Sequence, residues 1–324
     1  MLNPEEFIGS YSKIGVAHTA NESIRTKSAS GGFITTLLLN ALKRGLIDGA
    51  IVTINEGLEQ KVVLAMTPDD IIKSAGNKYL QFPLNAHLTK LFDKKGRFAV
   101  VALPCQINGL RRLENIQSDL ERKIVVRIGV FCTHVVSVNG MLYLLKLMGI
   151  EKEDVEELRY KTKMFGTTGL YVRTINGEES FVPLKKYYTN FFDFFFIPLG
   201  CIKCNDMTAE DSDISVGKAL FLGSSSDNPG YSLFIVRTEV GKKFLDEANE
   251  DLVIKSDVDP ELVIKSQPYY SIKKGKAIGG VKDRLTVYLY KVIRKLGHII
   301  STKDTLHFLI RIWVKVFGVL RGLK

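Results

Sequence analysis

Apolar positions in the first half of the chain follow two alternating periods. Residues 31–45, GGFITTLLLNALKRG, carry apolar side chains at the spacing of a buried helix, with Ser28 or Ser30 placed to cap it and Gly45 to stop it. LIDGAIVTI (46–54) follows as a β-branched run and predicts a strand. RFAVVALPC (97–105) is a continuous apolar stretch that breaks at Pro104 and leads into a helical QINGLRRLENIQ. KIVVRIGVFC (124–132) repeats that grammar ahead of a helix over about 137–148. Strands without polar alternation, each handed on to a helix, predict an α/β fold: an open, mixed or mainly parallel sheet with helices on both faces.

The texture changes after residue 150. ELRYKTK, GLYVRTI and SFVPL read as short strands around a glycine turn, and the aromatic run KKYYTNFFDFFFIPLGC follows. These segments predict a smaller β-containing region over 151–275, which completes the body begun by an α/β region over 1–150. RLTVYLYKVIRKLG and TLHFLIRIWVKVFGVLRGLK predict a helical, amphipathic tail over 276–324. The tail's apolar stretches are broken by Arg311, Lys315 and Arg321, so none matches the ~20 apolar residues of a spanning helix.

The cysteines carry the candidate chemistry. The strand runs at 97–105 and 124–132 end in Cys105 and Cys132, at the carboxyl edge where open α/β sheets bind ligands. The other two form the CxxC pair Cys201 and Cys204. A CxxC alone suits a redox dithiol, half a zinc site or half an iron–sulfur site. With Cys105 and Cys132 at one edge, the four complete a single four-thiolate site, either tetrahedral zinc or a 4Fe-4S cluster. Two ligands arriving singly from strand ends lean toward the cluster, because structural zinc sites more often take two close pairs.

Composition narrows the setting. The chain has 324 residues, 45% of them hydrophobic, and opens on polar residues that include Glu5 and Glu6 rather than an apolar leader, which predicts a cytoplasmic protein with unpaired thiols. Of the formal net charge of +10, the stretch 276–324 contributes +9, with eleven Lys and Arg against Asp283 and Asp304. The body is near neutral, so the tail reads as a docking device for a partner subunit or for peripheral contact with an anionic membrane, and no specific nucleic-acid site is expected.

Five stretches in order, SASGGFITTLLLNALKRGLIDGAIV, AGNKYLQFP, ALPCQINGLRRL, IGVFCTH and CIKCNDMTAEDSDISVG, resemble the family of coenzyme F420 hydrogenase/dehydrogenase beta subunits over roughly residues 10–245. The resemblance implies an oxidoreductase with bound FAD and a 4Fe-4S cluster. It would exchange hydride with coenzyme F420 as substrate and pass electrons singly to a redox partner protein or larger complex. It makes Cys105, Cys132, Cys201 and Cys204 the cluster ligands. Ser28, Ser30, Gly31 and Gly32 match the FAD-binding stretch, where glycines let backbone N–H groups approach a phosphate at a helix start. Asn77, Lys78 and Tyr79 match a second flavin-facing loop. Arg25, Lys27, Arg159, Lys161 and Lys163 are the cations available for the phosphate and glutamate tail of coenzyme F420.

Two departures bear on this reading. Lys218 follows the glycine of SDISVG where many relatives carry an acid, and no CxxCxxCxxxCP run supplies a second cluster. Two alternatives therefore stand beside it: a flavin–cluster reductase of another substrate, in polysaccharide or lipid metabolism, and a zinc-stabilised α/β binding protein.

Overall fold

The computed structural model describes residues 3–165, 167–183, 196–222, 230–266 and 269–275, with Arg284 and Tyr288 beyond them. Along the chain run α1 (Glu5–Ile8), β1 (Lys13–Thr19), α2 (Glu22–Lys27), α3 (Phe33–Lys43), β2 (Gly49–Glu56), β3 (Glu59–Ala65) and α4 (Pro68–Lys73). A 3-10 segment (Leu84–Leu91) leads to β4 (Phe98–Ala102), α5 (Pro104–Glu114), α6 (Ser118–Lys123), β5 (Ile124–Val130) and α7 (Val138–Leu147). Next come β6 (Val155–Met164), β7 (Thr167–Thr174), β8 (Glu179–Pro183), α8 (Leu199–Lys203), β9 (Ile214–Lys218) and β10 (Ser232–Val236). The described body closes with α9 (Glu239–Glu247), β11 (Leu252–Ser256), α10 (Pro260–Lys265) and α11 (Tyr269–Lys274).

The main sheet has eight strands in the order β11-β1-β10-β9-β5-β4-β2-β3. Its centre is parallel, β9 to β5 to β4 to β2, and its flanks are antiparallel. The expected mixed α/β sheet is thus observed, and strands from both sides of residue 150 share it, because β9, β10 and β11 return to the sheet that β1 to β5 began. A second sheet, β6-β7-β8, stands apart from it.

Alternation along the strands sets the two faces. Ala99 of β4 turns toward α3, α4 and α9, whose Phe33, Leu37, Ile71 and Phe244 fill one side. Phe98, Val100 and Ala102 turn the other way, against the 3-10 segment, α5 and α6. On that second side of β1 and β10, Ile14, Val16, Leu233 and Ile235 meet α1, α10 and α11. The three-stranded sheet buries Leu158, Leu170 and Val172 against Met141, Leu144 and Leu145 of α7. Helices on both faces leave the carboxyl edge of the parallel strands to the connecting loops, and Cys105 and Cys132 lie there.

The aromatic run expected around 185–195 and nearly all of the 276–324 tail lie outside the described residues.

Candidate functional site

Cys105 is placed by the break between β4 and α5. Leu103 is extended and Pro104 occupies the first helical position, where its fixed φ and missing N–H carry no penalty. Gln106 braces the turn from both ends: its Oε1 accepts from the Leu103 N–H at 2.9 Å and its Nε2 donates to the Phe82 carbonyl at 3.0 Å. Cys105 therefore stands in the first turn of α5, exposed.

Cys132 follows the end of β5. The Phe131 N–H donates to the Val216 carbonyl and the Cys132 N–H to the Met207 carbonyl, both at 2.9 Å. The second bond reaches into the loop after the CxxC pair. In that loop the Cys204 Sγ donates to the Asp206 carbonyl at 3.2 Å, while the Asp206 carboxylate accepts from the N–H groups of Thr208, Ala209 and Glu210. Ala209 adopts a positive φ of 56° and is fully buried against β5. Gly129 makes that approach possible, since a Cβ there would stand 2.2 Å from the Ala209 Cβ.

The four thiols lie in one another's electrostatic field. Partial burial raises the Cys105 thiol above its ordinary range, Cys204 and Cys201 raise it further, and Lys273 opposes them. Burial pushes Cys132 up to about 12; Lys273 lowers it, and Cys201, Cys105 and Cys204 raise it. Raised thiols must give up their protons for a metal to bind. Among the described residues, no three His, Cys, Asp or Glu side chains are close enough to grip a metal ion. The donor types themselves, four cysteine sulfurs, suit a thiolate-held centre.

The glycine turn reaches the same edge by sheet register. Ala102 at the end of β4 pairs with Gly129, Val130 at the end of β5 with Val216, Lys218 at the end of β9 with Ser232, and Ser232 with Ala17. Ser232 then fixes the turn: its Oγ lies 2.9 Å from the Ser30 Oγ and accepts from the Gly31 N–H at 3.1 Å. Gly31 is packed too tightly for a side chain, as a Cβ would fall 2.5 Å from the Ala17 carbonyl oxygen and 2.7 Å from the Ser232 nitrogen. The N-cap of α3 is Gly32, with φ 76°, in place of the expected serine, and no side chain caps the helix. Ser28 instead donates its hydroxyl to the Ile24 carbonyl at 2.7 Å. The first-turn N–H groups of an 11-residue helix are left to other acceptors, which suits an anion.

Asn77, Lys78 and Tyr79 follow α4. The Asn77 carbonyl accepts from Asn55 Nδ2 at 3.1 Å, at the carboxyl end of β2. The Lys78 ammonium donates to the Ser74, Ala75 and Gly76 carbonyls, closing the end of α4, and burial draws its pKa down to about 8. Tyr79 packs its ring 5.0 Å from that of Tyr160, and burial raises its hydroxyl pKa. Its carbonyl accepts from the Val136 N–H at 2.8 Å, tying this loop to the segment just past Cys132.

The expected cations divide. Arg25 sits at the glycine turn with its guanidinium 5.8 Å from the centre of the Tyr231 ring, and Lys27 is exposed on the same short helix. Arg159 is engaged elsewhere, paired with Glu157 at 3.0 Å and stacked 4.2 Å from the Tyr171 ring on the smaller sheet. Lys161 and Lys163 lie on β6, and their side chains are outside the described set. Sequence reasoning missed Ser232 and Tyr231.

Comparisons with known proteins identify the family. Residues 14–89 match the N-terminal domain of the coenzyme F420 hydrogenase/dehydrogenase beta subunit, and 95–260 match its C-terminal domain. The chain belongs to the family of coenzyme F420 hydrogenase/dehydrogenase beta subunits. It is similar to an F(420)H(2) dehydrogenase subunit of Methanosarcina mazei, with 30% identity over 86% of this chain and 72% of that one. It is also similar to the coenzyme F420 hydrogenase subunit beta of Methanothermobacter thermautotrophicus, with 29% identity over 75% of this chain and 83% of the other. A chain of the F420-reducing NiFe hydrogenase complex from Methanosarcina barkeri shares the fold, with a TM-score of 0.66 and 24% identity over 89% of this chain and 94% of that one.

Proposed function

We propose that the chain is an iron–sulfur flavoprotein that exchanges hydride with coenzyme F420 and passes electrons singly to a protein partner. The observation that supports this reading is the Cys132 N–H bond to the Met207 carbonyl, which fastens the loop after the CxxC pair to the sheet edge that also bears the glycine turn. Cys105, Cys132, Cys201 and Cys204 would hold the 4Fe-4S cluster. The open N-terminus of α3, with Ser28, Ser30, Gly31 and Gly32, would take the diphosphate of FAD, beside the loop of Asn77, Lys78 and Tyr79. When bound, FAD and the cluster supply the conversion between a two-electron hydride carrier and single-electron transfer.

The chain's own residues bind, orient and exclude water. Gly31 and Ser232 hold the turn against β1 and β10, so the backbone donors of α3 are fixed before a ligand arrives. Tyr79 and Tyr160 form an apolar wall, which keeps water from a hydride path. Arg25 and Lys27 offer positive charge to the phosphate and carboxylates of coenzyme F420 from the side of the glycine turn.

The names of the relatives, one part of a dehydrogenase and the other of a hydrogenase, support a role as one subunit of a larger redox assembly. The basic stretch 276–324 is the docking element available for such a partner or for the inner face of a membrane, which would place the protein on the cytoplasmic side. No helix among the described residues is long and apolar enough to cross a membrane.

The test is anaerobic mixing of the flavin- and cluster-replete protein with reduced coenzyme F420, reduced nicotinamide or reduced ferredoxin. Bleaching of the flavin by reduced coenzyme F420 in preference to the other two is expected. Reduction by nicotinamide or ferredoxin alone would favour a flavin–cluster reductase of another substrate.

A further inference from the structure

Lys78 sits in the loop beside the glycine turn, yet its ammonium folds back onto its own chain. It donates to the carbonyls of Ser74, Ala75 and Gly76, the last two at 3.2 Å and 3.1 Å. An ammonium has three donors and no acceptor, so these bonds use its full capacity. The local chain explains the arrangement. α4 ends at Lys73 with Ser74 as its cap, and Gly76 takes φ 94°, so three successive carbonyls lie past the last turn, within reach of a long side chain two to four residues on. Turning the ammonium toward a phosphate would strip all three of their donor. The loop closed in this way meets several parts of the edge. Gly76 lies against the Lys27 carbonyl, which would stand 3.7 Å from a Cβ at that glycine, one residue before Ser28. The Asn77 carbonyl takes the Asn55 amide at the end of β2. Beyond Cys132, the Val136 N–H donates to the Tyr79 carbonyl at 2.8 Å and the Gln81 N–H to the Val136 carbonyl at 3.1 Å. The Tyr79 ring meets that of Tyr160 on the smaller sheet.

We propose that Lys78 is a positioning residue, an internal clasp that closes the end of α4 and holds the 77–79 loop in shape beside the flavin, and that it is not a ligand of the flavin's phosphates. This inference rests on the reading of that loop and of the glycine turn as the flavin site. The negative charge of a diphosphate is then met by the first-turn N–H groups of α3 and by Arg25 and Lys27, not by Lys78. The two roles differ in what they discriminate. A phosphate ligand favours FAD over riboflavin, which carries the same ring and no phosphate. A clasp that supports the loop serves both alike, since it acts on the ring's surroundings and touches neither molecule.

The experiment titrates FAD and riboflavin into the flavin-free full chain, as wild type, Lys78→Met and Lys78→Gln, following flavin fluorescence, with denaturant unfolding to show that each variant is folded. Methionine keeps the length and removes the donors; glutamine removes the charge and keeps an amide that can donate to a carbonyl. In Lys78→Met both flavins are expected to bind more weakly by the same factor, about tenfold or more, and Lys78→Gln is expected to recover most of both affinities. Loss of FAD affinity alone, with riboflavin unchanged, overturns the inference, because Lys78 would then be a phosphate ligand. Unchanged affinity for both in Lys78→Met overturns it as well, and so does a Lys78→Gln that recovers neither. Should Lys78→Met fail to fold, Lys78→Gln decides alone: both affinities near wild type support the clasp, and any loss contradicts it. Should riboflavin bind wild type too weakly to titrate, the salt dependence of FAD binding takes its place. A deficit in Lys78→Met that is constant with salt supports the clasp, and one that closes as salt rises overturns it. A wild type that binds neither flavin defeats the reading of the site itself, and the inference with it.

Discussion

The backbone N–H of Cys132 donates to the carbonyl oxygen of Met207 at 2.9 Å, so the end of a central parallel strand is fastened to the loop that begins with the CxxC pair. The loop after the CxxC pair is thereby brought to the end of β5, although Cys132 and Met207 are 75 positions apart along the chain. The fastening needs Gly129 bare and Ala209 in a left-handed conformation directly against it. Local backbone bonds, and not the thiols, hold this edge.

The strand that leads to Cys132, β5, is anchored by a buried ion pair. Glu114 Oε1 accepts from Arg127 Nη2 at 2.6 Å and Nε at 3.0 Å, and the Arg127 N–H donates to Asp213 Oδ2 at 2.8 Å. Glu114→Ala leaves the guanidinium buried without its main partner and is expected to cost about 3–5 kcal/mol. The double variant Glu114→Leu with Arg127→Met is expected to cost much less, since it removes both charges. Denaturant unfolding of the two variants checks this; equal losses would contradict it.

Gly31→Ala is expected to disturb the glycine turn more than Gly32→Ala. At position 31 the new methyl meets backbone on two strands, at 2.5 Å and 2.7 Å, and neither can move away freely. That overpacking is expected to cost about 1–3 kcal/mol and to lower flavin content. At position 32 the methyl meets side chains rather than backbone, the buried Thr19 Cγ2 at 2.8 Å among them, and holding alanine at φ 76° costs about 1–2 kcal/mol besides. Thermal unfolding together with the flavin absorbance of the purified variants measures both effects.

Lys78 gives a pH dependence with a definite sign. Burial lowers its folded-state pKa from the ordinary 10.5 to about 8. Between those values the unfolded chain binds more protons than the folded one, so stability rises with pH. The burial cost is fully present below about pH 8 and relieved as pH climbs toward 10.5. The unfolding free energy of wild type minus that of Lys78→Met is expected to increase across this window by on the order of 2 kcal/mol, allowing for partial solvent screening. A flat or falling difference would contradict the buried-lysine account.

The helix of 33–43 and the strands ending near Cys105 and Cys132 were legible because apolar periodicity reports burial, and burial on both faces of a sheet leaves an uninterrupted run. The positions of Cys105 and Cys132 just past the ends of two parallel strands were legible by the same route. The cap of α3 was not, since Ser28 and Ser30 satisfy the usual capping preference, whereas the turn needs positive φ and so uses Gly32. Ser232 was also illegible. It faces the glycine turn from 201 residues away, through antiparallel pairing of β10 with β1 that no local pattern announces. Arg159 looked like the other crevice cations in the sequence, and only the register of β6 with β7 shows it committed to Glu157 and Tyr171.

The most direct test of the account is the metal content of anaerobically reconstituted wild type and of Cys105→Ser, Cys132→Ser, Cys201→Ser and Cys204→Ser. Iron and acid-labile sulfide in the equal proportions of one 4Fe-4S cluster, with a paramagnetic signal on reduction, are predicted for wild type. Each serine variant, the strand-end pair as much as the CxxC pair, is predicted to lose it. Zinc in place of iron, or an intact cluster in Cys105→Ser or Cys132→Ser, would contradict the account.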